Sequence, residues 1–211
     1  GEINKHDFGS SALVQMPLYE LDKRINEVCE KIDKEIVILS ESGDYESPGF
    51  DIPKNVYRLY CQGINFSHDK VRAMPLGINE IQDDAITKFE NTEKKKLIFR
   101  NFAIHTNPGR RLFAQSECDK NFIDHIQYDD SKHSGDGLLS LYSDICQYKF
   151  GISPVGNGLD CYRTWEYLYL GIIPVVYDLP MNRYFAKHLP MVVVPSYKIL
   201  SEEMLESEYE K

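Results

Sequence analysis

The chain has no run of apolar residues near the roughly 18 that a membrane-crossing helix needs. Its opening, Gly-Glu-Ile-Asn-Lys-His-Asp, has none of the basic-then-apolar pattern of a secretory leader. Its five cysteines, Cys29, Cys61, Cys118, Cys146 and Cys161, form no C-x-x-C pair, and no histidine cluster accompanies them. That pattern argues against a structural zinc site and a disulfide framework, and predicts reduced, partly buried thiols. The expected location is the cytoplasm, unless a membrane anchor or further domain lies on a longer chain. Positive charge is also short: 24 Lys and Arg face 33 Asp and Glu, a formal net charge of −9. Such a chain has no broad field to attract a phosphate backbone, so nucleic acid is not an expected partner. A small phosphorylated ligand stays open, because a few arginines and one helix N-terminus can hold it. There are no repeats and no low-complexity tract.

Short β-rich runs alternate with helical patterns along the 211 residues, which marks an α/β protein. Leu18, Leu21, Ile25, Val28 and Ile32 recur at helical spacing. Strand patterns follow at 35–40, 56–60 and 71–74, the first ending in a polar turn over 41–48. Residues 79–96 read as a polar connection between two halves. The second half opens with a strand at 97–99 and a long loop to Arg111, then predicts helices over 111–119 and 138–146. The clearest unit comes next. A strand at 148–153 leads through Pro154-Val-Gly-Asn-Gly158 into a helix over 160–170, ended by Gly171. A strand at 172–177, a helix over 181–188 and a strand at 191–194 complete β-α-β-α-β, which predicts parallel strands. The tail, 201–211, is an acidic helical pattern.

Gly156, Asn157 and Gly158 lie where a strand's carboxyl end meets a helix, the usual ligand position in open α/β sheets. The glycines predict close approach of backbone N–H groups to a ligand, with the helix dipole behind them. Asp160 is the expected N-cap. Arg163 falls in the first turn, where the dipole disfavours a cation, so a bound anion is one explanation for it. Glu166 is three residues on and shares its face, placed to accept from a ribose diol. The plain alternative is a surface ion pair between the two. Trp165, Leu168, Tyr169 and Leu170 read as the apolar face of the same helix.

The string Phe150–Val176 resembles the donor-site signature of exostosin-like glycosyltransferases: P-x-G-x-G after a strand, R-x-x-E on a helix, then L-G-x-I-P-V-V. It is similar, more loosely, to α1,3-fucosyltransferases. The likeness covers about 30 residues, with a weaker extension back to Leu97 through Phe99-Arg-Asn-Phe-Ala and Gly109-Arg-Arg111. It implies a GT-B-like fold of two Rossmann-like halves, here a reduced acceptor-side half (1–90) and a donor half (91–211). It implies inverting transfer from a nucleotide-diphosphate sugar, UDP- before GDP-, to a hydroxyl of a glycan or glycoprotein, with no metal or other cofactor required. Arg163 would meet the diphosphate, Glu166 the ribose, and the Gly156–Gly158 loop the sugar or phosphates. Arg110 or Arg111 is either a second diphosphate contact or a solvated helix-start residue. The general base such a reaction needs is sought at Glu41 or Asp44, just past one strand end; His68 and Asp69, after the next strand, read as ordinary loop residues.

Three other readings have some footing. Gly156-x-Gly158 with Asp178 twenty residues on partly matches a dinucleotide fingerprint, although Cys161 stands where a third glycine belongs. Asp44-Tyr-Glu46 is a minimal D-x-E metal motif. The short first half also suits a module that binds a nucleotide sugar or glycan without turning it over.

Overall fold

The structure is a computed structural model and describes residues 4–9, 11–41, 44–47, 49–89, 91–133 and 136–211. Ser42, Gly43 and Pro48 of the first polar turn, and part of the loop before residue 136, lie outside that set. The chain divides into two compact units. One is residues 1–75, 157–160 and 179–185; the other is residues 76–156, 161–178 and 186–211.

The first unit carries strands β1 (Asn4–Phe8) and β2 (Ser11–Gln15), helix α1 (Leu18–Glu30), and strands β3 (Glu35–Ser40), β4 (Val56–Cys61) and β5 (Val71–Ala73). They form one sheet in the order β1-β2-β3-β4-β5. β1 is antiparallel to β2, and all the later neighbours are parallel. The β-branched run Ile36-Val-Ile38 makes β3 a central strand, with Ile36 and Ile38 fully buried. The predicted apolar stripe of α1 is buried as Leu18, Leu21, Ile25, Val28 and Cys29.

The second unit begins with helix α2 (Glu80–Ile86), inside the segment read from sequence as a polar connection. Its propensity is modest, but Asn79 and Gln82 close a reciprocal capping box that supplies two of its orphan donors. β6 (Lys96–Arg100), α3 (Pro108–Glu117), β7 (Ile123–His125), α4 (Asp136–Ile145), β8 (Tyr148–Ile152), α5 (Tyr162–Tyr169), β9 (Ile173–Tyr177), β10 (Val192–Val194) and α7 (Glu202–Tyr209) follow. The intervening helix α6 (Pro180–Phe185) clusters with the first unit. The sheet is wholly parallel, in the order β10-β9-β8-β6-β7. Each face has its own core. Ile98, Phe150, Ile152 and Val175 pack with Ala114 of α3 and Leu205 of α7. Phe99, Tyr148 and Ile172 pack with Ile86 of α2, Leu141 and Tyr142 of α4 and Tyr167 of α5.

The parallel β-α-β-α-β order expected from residue 148 onward is present. α5 stops as expected at Gly171, which takes φ of +67°. Its N–H bonds to Leu168 O and that of Ile172 to Tyr167 O, a Schellman closure that spares the last carbonyls. No described helix is long and apolar enough to cross a membrane.

Candidate functional site

The second sheet reverses direction once. The chain leaves β6, adds β7 on one side through α3, then returns through α4 to add β8 on the other side of β6. At such a reversal the loops after the two strands turn to opposite faces and leave a crevice at the carboxyl ends. The first sheet runs in simple sequence order and has no such reversal among its described strands. The loop after β6 (101–107) and the loop after β8, as far as Gly156, therefore frame the candidate site.

α3 begins earlier than the sequence predicted, because Asn107 caps it and Pro108 occupies the first turn. The cap does double duty: Asn107 Oδ1 accepts from the Arg110 N–H (3.3 Å), while its Nδ2 donates to Gly156 O (3.1 Å). Arg110 Nη1 reaches the same carbonyl at 3.2 Å. Arg111 is only 8% exposed and donates from Nε to Val155 O (2.9 Å) and from Nη1 to Ala103 O (3.5 Å). Its Nη2 lies 3.9 Å from the Cys161 sulfur. Two adjacent arginines and an asparagine thus clasp the β8–α5 loop to the start of α3.

This corrects one reading: Arg111 is not a solvated helix-start residue. A Cβ at Gly156 would come 2.9 Å from Arg111 Nη2, so that glycine admits the guanidinium against the loop. Asn157 is exposed and Gly158 buried; with Leu159 and Asp160 they cluster with the first unit. Asp160 is not the N-cap of α5: Cys161 holds that position and makes no side-chain cap hydrogen bond. The helix start is anchored one turn in, where Thr164 Oγ1 and Ser153 Oγ share a buried hydrogen bond of 2.8 Å.

Arg163 stands in the first turn of α5, with its guanidinium over the Tyr167 ring at 5.8 Å. Its Nη1 pairs with Glu166 Oε2 at 2.7 Å, the two side chains being 14% and 4% exposed. The expected pair exists, but it is buried rather than a surface bridge. Burial disfavours the Arg163 charge, yet Glu166 and the surrounding tyrosines outweigh it and hold the guanidinium above its ordinary range. Glu166 Oε1 accepts from Gln82 Nε2 of α2, a partner that sequence reading missed. Asn-x-x-Gln at residues 79–82 was the available signal, since it spells a capping box. The Tyr142 hydroxyl of α4 lies beside the same carboxylate, and burial first, then the Glu166 charge, pushes its pKa up. Of the apolar face expected on α5, Trp165 and Leu170 are buried, but Tyr169 is 57% exposed.

Glu41 and Asp44 are both exposed in the turn after β3, where the Glu41 carbonyl accepts from the Leu18 N–H at 2.9 Å. Cys29, Cys61, Cys118 and Cys146 are buried and Cys161 is half-buried, all as free thiols. Burial raises Cys29 to about 11, and Cys61 and Cys118 to about 12, so these three are inert.

The fold and this arrangement define the second unit as a doubly wound α/β module with an arginine-rich loop clasp at its switch point. No protein-family model matches the chain, and no curated protein matches it in sequence.

Proposed function

We propose that this protein is a glycosyltransferase that binds a nucleotide-diphosphate sugar at the β6/β8 crossing. It moves the sugar to a hydroxyl of a glycan acceptor with inversion and without a metal. The observation that supports this reading best is the placement of Arg163 and Arg110. They stand in the first turns of the two helices that flank the crossing, where helix N-termini already favour anions. The likeness of Phe150–Val176 to exostosin-like donor sites gives the ligand class and favours UDP over GDP. Arg111 donates to carbonyls of both loops and holds the β8–α5 loop for the ligand. Arg163 exchanges Glu166 for the diphosphate, and Glu166 Oε2, released, turns to the ribose diol. Glu41 and Asp44, both exposed, are the carboxylates proposed as base for the acceptor hydroxyl.

The test is thermal unfolding with UDP, GDP, CMP and NAD in EDTA, paired with an assay for nucleotide release from UDP- and GDP-sugars. A ligand at about 100 times its Kd stabilises by about 2.7 kcal/mol. Stabilisation by UDP or GDP that is lost in Arg110→Ala, with turnover of the matching sugar donor, is the expected result. Binding without any donor hydrolysis or transfer would make the protein a nucleotide-sugar-binding module. A response to NAD alone would turn the reading toward an oxidoreductase.

A further inference from the structure

The roles above leave unused a cleft of about 530 Å³ at the carboxyl ends of β6 and β7. Arg100 and His125, the last residues of those strands, are paired in register and both line it. Phe102, His105, Gln127 and Tyr128 line it as well. The cleft adjoins the arginine clasp. The Phe102 ring lies 5.5 Å from the Arg111 guanidinium carbon. Burial and Asp130 raise the Tyr128 pKa, while the charges of Arg163 and Arg111 work against that rise, so the phenol is within electrostatic reach of both guanidinium groups.

The Tyr128 ring is held in place. Its hydroxyl donates to Asp130 Oδ1 at 3.1 Å, and its ring and that of His105 are set edge to face, with centroids 6.0 Å apart. Two aromatic rings, Phe102 and Tyr128, therefore line the cleft next to a cationic site. Of the polar groups around them the Arg100 guanidinium alone is purely a donor; the Gln127 amide, whose Nε2 already donates to Tyr128 O at 3.4 Å, and the imidazoles carry acceptors as well. The carboxylate present, Asp130, already accepts from Tyr128 and stands 3.8 Å from His105 Nε2. Burial and the Arg100 charge both lower the His125 pKa, so at neutral pH it presents an uncharged ring beside Arg100.

We infer that this cleft receives the base of the nucleotide, stacked on Tyr128 and Phe102. The Arg100 guanidinium at its rim, a donor with no acceptor, selects a base edged with carbonyl oxygens, uracil or guanine, over adenine. The inference rests on reading the β6/β8 crossing as the diphosphate site. Stacking contributes about 1–3 kcal/mol per base, and a carbonyl left facing donors binds better than an amino group set against them.

The experiment is calorimetric titration of the full chain with pyrophosphate, UDP, GDP and ADP, repeated on Tyr128→Ala, Tyr128→Phe and Arg100→Gln. The expected wild-type result is UDP or GDP about 10- to 100-fold tighter than pyrophosphate, and about tenfold tighter than ADP. Tyr128→Ala should bring the favoured nucleotide to within about threefold of pyrophosphate while leaving pyrophosphate unchanged, and Tyr128→Phe should keep the ring's contribution. Arg100→Gln should narrow the gap to ADP. If pyrophosphate and the nucleotides bind equally, or Tyr128→Ala weakens both alike, the cleft is not the base site and the diphosphate reading stands. If ADP binds as well as UDP and GDP, the selectivity is overturned. If wild type binds neither pyrophosphate nor nucleotide, both readings fall.

Discussion

Gln82 and Glu166 are 84 residues apart in sequence and share a buried hydrogen bond, Nε2 to Oε1. Gln82 meanwhile accepts the Asn79 N–H at 2.8 Å, so one side chain both caps α2 and fixes the carboxylate that holds Arg163. A segment with little apolar character is thereby tied to the centre of the candidate site.

Gln82→Glu separates those two tasks. Glutamate serves a capping box as well as glutamine, so α2 keeps its cap, but the new carboxylate faces Glu166. Two buried carboxylates side by side raise the pKa of the pair, and a raised folded-state pKa contributes stability at low pH that is lost as pH rises. The variant should therefore be several kcal/mol less stable than wild type at pH 7.5 and recover much of the loss near pH 5. Gln82→Leu should show no such recovery. Urea unfolding at both pH values checks this, and a parallel loss for the two variants would refute it.

Gly156→Ala places a Cβ 2.9 Å from Arg111 Nη2, a guanidinium held by carbonyls on two loops. The strain should cost about 1–3 kcal/mol. Because the clash needs the arginine, Arg111→Ala combined with Gly156→Ala should cost less than the sum of the two single changes. A double-mutant cycle from denaturant midpoints measures the coupling. Strict additivity would show that the glycine serves something other than Arg111.

Lys94 joins two helix ends. Its Nζ donates at 2.6 Å both to Cys146 O, just past α4, and to Leu170 O, the C-cap of α5. The ammonium group satisfies carbonyls that the helices leave open and sits where both dipoles favour a cation. Lys94→Met keeps much of the apolar stem and removes those bonds, for an expected loss of about 2–3 kcal/mol. Hydrogen exchange should show faster opening at the C-terminal turn of α5, through Leu168–Leu170. Unchanged exchange there would contradict the role.

Glu117 is 4% exposed and accepts from Ser196 Oγ (2.6 Å), Tyr177 Oη (2.9 Å) and the Tyr197 N–H (3.2 Å). Burial works to raise its pKa, but these three donors and the Lys198 charge bring it below the ordinary carboxylate value. A depressed folded-state pKa means that the unfolded chain binds more protons in that window. The contribution is then full above the unfolded pKa of about 4.3 and disappears as pH falls through the folded value. Glu117→Gln should lower stability at pH 7, by an amount that shrinks toward zero below about pH 4. Thermal unfolding of both proteins from pH 3 to pH 7 tests it, and a difference independent of pH would exclude the charge as the cause.

The local code of the chain reached far. β-Branched runs announced β3 and β9, because strands covered on both faces need little more than that pattern. Gly171 announced the end of α5, since a left-handed residue with no Cβ is the cheapest way to close a helix. The positions of Arg163 and Glu166 on one helical face followed from spacing alone. β2, β7 and α2 escaped notice. β7 buries a single residue, and α2 lies in a segment too polar to show an apolar stripe.

Sequence alone thus determined the α/β alternation, the parallel order after residue 148, and the helix that carries Arg163 and Glu166, all of which rest on contacts within a few residues. Tertiary structure decided the reversal between β6 and β8, the burial of the Arg163–Glu166 pair, and its link to Gln82. It also decided that Gly156 makes room for Arg111. Those facts depend on which distant segments share the same space, and a buried charge takes its meaning from partners that no spacing along the chain encodes.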